Sequence, residues 1–349
     1  APRMSEPMTI QNTMSVDSPA SKTAAGLGQT VSPDSKIYVA GHCGMVGSAV
    51  VRRLRAAGYE RIVTATRAEA DLVRQESAEA FMAEHRPDVV VIAAAKVGGI
   101  LANSTQPYAF LYENLMIEAN LIQAAHRIGV PDVIFLGSSC IYPKLAPQPL
   151  KEAYLLTGPL EPTNEWYAIA KIAGIKLCQA LNQEFGRRYI SLMPSNLYGP
   201  GDNFDLQTSH VLPAMMRKFH EAAQAGHTPV TLWGSGSPLR EFLHVDDLAA
   251  AVQFVMENRA SIGYDLLNVG VGEDISIRDL AGLIQKVVGH EGEVVWDSGK
   301  PDGTPRKLMD TSLMAACGWR ASIPLEQGIR STYGWFTEQL ERDAAGVKL

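Results

Sequence analysis

Cysteine is scarce in this chain: four among 349 residues, at positions 43, 140, 178 and 317. No two form a CxxC pair, and the spacing matches neither a zinc site nor a disulfide framework, so no metal is expected. A reducing, cytoplasmic setting is expected instead. Each cysteine is then weighed alone, as a small buried apolar residue or as a reactive thiol. Long apolar runs are missing too. The longest, VVVIAAAKVGGILA, is broken by Lys96 and is too short to cross a bilayer, which excludes a membrane-spanning reading. Surplus positive charge is also absent. A net charge of −6 argues against a general nucleic-acid binder. What is present is 46% hydrophobic against 19% charged residues, the balance of a globular chain that buries a large core without disulfides.

Residues 1–34 are rich in Ser, Thr, Ala, Pro and Met and show no apolar periodicity. They read as a flexible tail. Without a continuous apolar stretch they make a poor secretory signal, and few arginines weaken a transit-peptide reading. The pattern changes at Lys36. KIYVAG, RIVTATR, DVVVIAAA and VPDVIFLGSS read as short apolar strands. SAVVRRLRAAG, QESAEAFMAEHR, YAFLYENLMIEANLIQAAHRIG and EWYAIAKIAGIKLCQALNQEFG read as helices between and after them, and YISLMPSNLYGPG as a further strand. Apolar strands alternating with helices predict an α/β chain with a doubly wound parallel sheet, a Rossmann arrangement covered on both faces. Beyond residue 200 the order loosens. LPAMMRKFHEAAQAG and SIRDLAGLIQKVVG are helical, and HVDDLA reads as a helix entry capped by Asp246 or Asp247. The expected division is a cofactor-binding domain over 35–200 and a smaller C-terminal α/β substrate lobe over 201–340, interleaved with the sheet.

Three motifs carry chemistry. GHCGMVG sets Gly41, Gly44 and Gly47 between a strand and a helix. Glycine permits the tight turn and lets the backbone approach a pyrophosphate at the helix N-terminus. A strand-to-helix turn alone would also use glycines, so the surrounding parallel sheet is what gives the trio weight. The second strand ends in Arg67 where NAD-binding folds usually hold a carboxylate, which favours NADP through its 2′-phosphate. Asp71 is placed to touch adenine or to cap the next turn. Tyr167 and Lys171 stand four apart on a helix and so share a face. An ammonium near a phenol favours phenolate, and the same lysine can reach a nicotinamide ribose. Upstream, Ser138 closes a strand and can hydrogen-bond a substrate carbonyl beside the tyrosine.

The order GxxGxxG, serine at a strand end, then YxxxK resembles the extended short-chain dehydrogenase/reductase family acting on nucleotide-sugars. The strings AAAKVGGI, FLGSSCIYPK, EPTNEWYAIAKIAGIKLC, NLYGPGDNF, REFLHVDDLA and KPDGTPRK narrow it. They resemble the branch that inverts C3 and C5 of GDP-4-keto-6-deoxy-mannose and then reduces C4 with NADPH. The matching strings run from about 36 to 335. The resemblance implies a reductase triad of Ser138, Tyr167 and Lys171, with Cys140 and His210 as the epimerising acid–base pair; Cys140 is taken as the base and His210 as the acid, the assignment at each carbon being open. It implies cofactor contacts from Gly41, His42, Cys43, Gly44, Met45, Val46 and Gly47, from Arg67, Asp71 and Leu72, and from Leu136, Gly137, Ser138 and Lys171. Further cofactor contacts fall to Pro194, Ser195, Asn196, Leu197 and His210. The GDP-sugar falls to Lys218, Trp233, Arg240, Asp302 and Lys307. A homodimer through the long helices is implied as well. Members of this branch often carry arginine where Cys43 stands, so that cation is lost here.

A thiol and an imidazole suit the inversions on chemical grounds. The C4 ketone acidifies the hydrogens at C3 and C5, and groups of pKa about 8.5 and about 6.5 exchange protons readily near neutrality. The alternative on the same sheet is an NAD-dependent 4-epimerase or 4,6-dehydratase. A dehydratase would want an Asp-Glu pair where this chain has Cys140 and Ile141. A cofactor-sensing regulator is the non-enzymatic alternative, and such proteins commonly lack the YxxxK pair.

Overall fold

The computed structural model describes residues 31–300 and 302–344. The expected tail lies outside the described residues but for its last four. The chain runs β1 (Ile37–Ala40), α1 (Met45–Ala56), β2 (Ile62–Val63), α2 (Gln75–His85), β3 (Val89–Ile92), α3 (Ile100–Thr105), α4 (Pro107–Ile128), β4 (Asp132–Leu136), α5 (Glu165–Phe185) and β5 (Ile190–Pro194). Then follow β6 (Asn196–Tyr198), α6 (Val211–Gln224), β7 (Val230–Trp233), β8 (Leu239–Arg240), β9 (Phe242–His244), α7 (Val245–Asn258) and β10 (Leu266–Val269). The chain closes with β11 (Ile275–Ser276), α8 (Ile277–Val288), β12 (Val294–Asp297), β13 (Arg306–Lys307), α9 (Ser312–Ala316) and α10 (Leu325–Ala344).

Six strands form one parallel sheet in the order β10-β5-β4-β3-β1-β2. Alternation along each strand divides its side chains between two cores. Ile37 and Val39 of β1 pack with α1 and α7, while Tyr38 and Ala40 face the core of α4 and α5. That is why the strands read as continuous apolar runs: both faces are buried. The winding reverses between β1 and β3, and the crevice at their C-terminal ends is where ligands bind in such sheets. The doubly wound prediction therefore holds.

Two strands differ from expectation. RIVTATR keeps only Ile62–Val63 in the sheet, because the Glu69 carboxylate takes both the amide and the hydroxyl of Thr66 and turns the chain away. YISLMPSNLYGPG is two strands, not one. Pro194 has no N–H to extend the ladder, and β6 leaves to pair in parallel with β9. The smaller lobe has its own core, in which Leu212, Met216 and Phe219 of α6 meet Leu280 and Ile284 of α8 and Ile329 of α10. The helix at HVDDLA is capped by His244, whose ring accepts from the Asp246 amide, and not by an aspartate. Asp246 pairs with Arg52 instead, and buried Asp247 accepts the amides of Ser322 and Ile323.

Candidate functional site

Gly41 lies at φ +87, a conformation L side chains avoid, and a Cβ there would press within 2.6 Å of the Ala94 backbone. A Cβ at Gly47 would overlap the Gly41 carbonyl. The two glycines thus let the loop after β1 fold flat between α1 and the end of β3. Gly44 is the N-cap of α1, which has no side-chain cap and no acidic residue in its first turn. Amides and helix dipole stay available to an anion, so this cradle fits a dinucleotide pyrophosphate. Met45 and Val46 open the helix and pack partly against the core. His42 and Cys43 lie at the surface, with the Cys43 Sγ 3.4 Å from Nε2 of the His42 ring.

Arg67 stands exposed just beyond β2. Its only ion pairs among the described residues are long, 3.6 Å to Asp71 and 3.7 Å to Glu113. A 2′-phosphate could take it from both. Asp71 accepts the Val73 amide and so caps the next turn, and the Leu72 carbonyl is held by Asn120. Leu136, Gly137 and Ser138 continue from β4. Gly137 leaves room for the Met193 side chain, and Ser138 Oγ accepts the Cys140 amide at 3.4 Å. Pro194 closes β5, Ser195 donates its amide to Val269, and Asn196 donates to the Glu241 carbonyl. Leu197 lies in β6 against the first core. These segments all leave the C-terminal edge of the sheet, beside the glycine loop.

Tyr167 and Lys171 sit on one face of α5, with the Lys171 Nζ 5.7 Å from the Tyr167 ring centre. The expected lowering of the phenol pKa is not found. Burial pushes the Tyr167 hydroxyl well up, and Cys140 and Glu118 add to the rise. The lysine is already engaged, 2.8 Å from Glu118 Oε1 and donating to the Leu136 carbonyl at 3.1 Å. Glu118 escaped sequence reading. Its signal was a carboxylate inside the apolar stretch LMIEANLI of α4.

Cys140 lies buried in the turn Ser139–Ile141. Burial pushes its thiol up, while Lys307 and the hydrogen bond to Ser138 oppose that. His210 occupies the N-cap of α6 but its side chain caps nothing. Desolvation, then Lys307, holds its imidazole below the ordinary value. Both groups feel the same ammonium, and Tyr167 feels Cys140, so the triad and the acid–base candidates share one neighbourhood. The backbone supports this: the Gly99 amide, beyond β3, donates to the Thr208 carbonyl two residues before His210. The resting protonation, thiol with neutral imidazole, is the reverse of the expected base and acid.

The substrate candidates line the lobe. Arg240 and Lys307 are register partners on β8 and β13, two cations side by side. Asp302 accepts the amide and hydroxyl of Ser235 and faces Arg240. Trp233 is 65% exposed at the end of β7, with the Lys300 ammonium 5.2 Å from its ring centre. Lys218 donates to the Thr231 carbonyl of the same strand.

A tyrosine and a lysine one helical turn apart, set beside a glycine-lined switch point, are the working parts of a short-chain dehydrogenase/reductase. The family model described as NAD dependent epimerase/dehydratase matches residues 37–270. A GDP-L-fucose synthase of Escherichia coli (strain K12) is 54% identical over 314 residues, covering 88% of this chain and 98% of its own length.

 A probable GDP-L-fucose synthase 1 of Oryza sativa subsp. japonica is 56% identical over 306 residues, 87% of this chain and 93% of that protein. Among solved structures, a GDP-L-fucose synthetase from Naegleria fowleri bound to NADP superposes with a TM-score of 0.81 at 29% identity, covering 90% of this chain and 96% of that one. A GDP-mannoheptose C4 reductase from Campylobacter jejuni with NADP bound gives 0.82 at 36% identity, over 88% and 99%. The chain belongs to the NAD dependent epimerase/dehydratase family and, within it, to the GDP-L-fucose synthases.

Proposed function

We propose that this protein converts GDP-4-keto-6-deoxy-D-mannose to GDP-L-fucose, inverting C3 and C5 and then reducing C4 with NADPH. The carrying observation is a thiol and an imidazole that share the Lys307 field beside a reductase tyrosine. A plain 4-epimerase or 4,6-dehydratase has no use for that pair.

The chemistry follows from placement. Ser138 and Tyr167 hydrogen-bond the C4 oxygen, which steadies the enolate formed when a proton leaves C3 or C5. Cys140 removes that proton and His210 returns one to the opposite face. Because the resting thiol is pushed up and the resting imidazole held down, this active form is a minor one: the thiol proton has to leave first. Lys307 eases that loss at Cys140 and opposes protonation at His210. Bound NADPH supplies the hydride to C4. Tyr167 then gives its proton to the C4 oxygen. Lys171 has an N–H left for a ribose hydroxyl after serving Glu118 and Leu136. Arg240 and Lys307 face the diphosphate as paired cations, with Lys218 and Asp302 nearby on the lobe. Trp233 offers a flat face to the guanine.

We also divide the chain at about residue 200 into cofactor and substrate parts, with β10 and α7 returning to the sheet. Exposed Tyr108, Tyr112, Trp166 and Ile169 on α4 and α5 support a homodimer joined through those helices. Four unpaired cysteines suit the cytoplasm. The function is tested by mixing protein, GDP-4-keto-6-deoxy-D-mannose and NADPH while following nicotinamide absorbance. Stoichiometric loss supports reduction. Exchange of substrate hydrogens with deuterated water without that loss would reduce the reading to epimerisation alone.

A further inference from the structure

Glu118 is a buried carboxylate that the reaction above does not use. It is 1% exposed, and its Oε1 lies 2.8 Å from the Lys171 ammonium, itself 1% exposed. Beyond this ion pair, neither carboxylate oxygen has a hydrogen-bond partner among the described residues. The room for it is built into the facing helix. Gly174 follows Lys171 by three residues on α5, and a Cβ there would come within 2.7 Å of Glu118 Oε2 and 2.6 Å of the Phe135 ring. Glycine weakens a helix interior; here its missing side chain is the space the carboxylate fills.

The consequence is electrostatic. An unmatched ammonium would draw the phenol towards phenolate. Burial pushes the Glu118 carboxyl up, and the Lys171 ammonium 2.8 Å away opposes that; held as an ion pair, the carboxylate offsets the ammonium's pull on the Tyr167 proton. In the proposed reaction the tyrosine has to keep its proton. It donates a hydrogen bond to the enolate oxygen in both inversions and surrenders the proton only when C4 is reduced. A phenolate could do neither.

We propose that Glu118 is a positioning residue: its carboxylate holds the Lys171 ammonium in place and cancels its charge, so that Tyr167 remains a phenol until the hydride step. This rests on the function proposed above. The other titratable groups nearby do not substitute for it. Cys140 faces Tyr167 from the turn after β4, with Lys307 beside it from β13. Cys178 faces Glu118 from α5. Two are buried thiols and one is a cation.

The test compares wild type, Glu118→Gln and Glu118→Asp across pH, following NADPH oxidation in a single turnover. In Glu118→Gln the lysine charge is unopposed, and the alkaline limb of the reduction, where the phenol loses its proton, should move down by about one pH unit or more. Glu118→Asp should shift it less, in the same direction. Identical alkaline limbs in all three would overturn the proposal. A readout without cofactor accompanies it: melting of cofactor-free wild type, Glu118→Gln, Lys171→Met and the double variant. Each single change should lower the melting temperature, and the double should regain part of the loss. Strictly additive losses would mean the two side chains are not coupled. Should Glu118→Gln not fold, the Glu118→Asp profile and the Lys171→Met melt carry the comparison: an unshifted alkaline limb in Glu118→Asp overturns the assignment. Failure of the functional reading looks different. The wild type would then neither oxidise NADPH nor exchange substrate hydrogens, while the melting comparison would still report the pair.

Discussion

At Cys140 two influences oppose each other. Burial favours the thiol, and the Lys307 ammonium favours the thiolate. At His210 burial and the same ammonium act together against protonation. The roles separate by experiment because losing a base differs from losing an acid. Without its base the enzyme cannot break the C–H bond, and solvent exchange stops. Without its acid it still breaks the bond and returns the proton to the same face, so exchange continues without inversion. With Cys140 as base, Cys140→Ser should abolish deuterium uptake at C3 and C5, while His210→Gln should retain uptake and lose inversion, both read by NMR of the sugar. The opposite pattern would hand the base role to the imidazole. Arg67 allows an equally direct test. Its ion pairs are long and its guanidinium is exposed, so a 2′-phosphate can displace Asp71 and Glu113 at small cost. Arg67→Glu should shift preference from NADPH towards NADH by about tenfold or more, measured as the ratio of kcat/KM values. An unchanged ratio would assign 2′-phosphate recognition elsewhere.

At the scale of elements, what could be read from the sequence was what periodicity and glycine punctuate. The runs of Ile37–Ala40, Val89–Ile92 and Asp132–Leu136 are legible because both their faces are buried. Two-residue strands such as Leu239–Arg240 and Arg306–Lys307 have no period to detect. They exist because tertiary pairing makes them, and they carry the paired cations. Glu118 was hidden for a related reason: a single carboxylate barely disturbs the apolar pattern of a long helix. Asp202, in the loop after β6, is a further case. Among the described residues its Oδ2 is buried without a partner, its Oδ1 accepts the Asn203 amide, and desolvation raises its carboxyl from 3.8 to about 7. The folded chain therefore keeps this proton up to about pH 7, whereas the unfolded chain loses it near pH 3.8. The stabilisation is complete below the unfolded value and fades as pH rises through the folded one. Asp202→Asn keeps the acceptor and cannot ionise. Its melting temperature should match wild type near pH 4, exceed it increasingly up to about pH 7 and by a constant margin beyond, the equivalent of on the order of 1 kcal/mol or more. Parallel melting curves across that range would show that Asp202 is hydrated when charged.

At the scale of the whole molecule, one buried carboxylate joins the sheet to the lobe. Glu241 lies between β8 and β9 and is fully buried. Its Oε1 accepts the amides of Val271 and Gly272, just past the edge strand β10, and its Oε2 accepts the Met309 amide, just past β13. Its backbone carbonyl takes the Asn196 side chain from β6. Four segments distant in sequence thus meet at one residue, two of them at its carboxylate. Gly270 leaves the space, since a Cβ there would collide with Oε1. Glu241→Ala strands three amides, each costing about 1–3 kcal/mol when buried unpaired. The melting temperature should fall on the order of 5–10 °C. Binding should divide as the contacts do. Met309 follows Lys307 by two residues, and Arg240 precedes Glu241 directly, so the paired cations should drift and KM for the GDP-sugar should rise several-fold. The glycine loop touches none of these segments through Glu241, so NADPH affinity, read by fluorescence titration of the folded variant, should stay near wild type. Glu241→Gln should be intermediate, because its amide oxygen can still accept two of the three bonds while its NH2 opposes the third. An unchanged melting temperature in Glu241→Ala would mean that water satisfies the amides, and an equal loss of NADPH and GDP-sugar binding would mean that Glu241 supports the sheet as a whole and not the junction with the lobe.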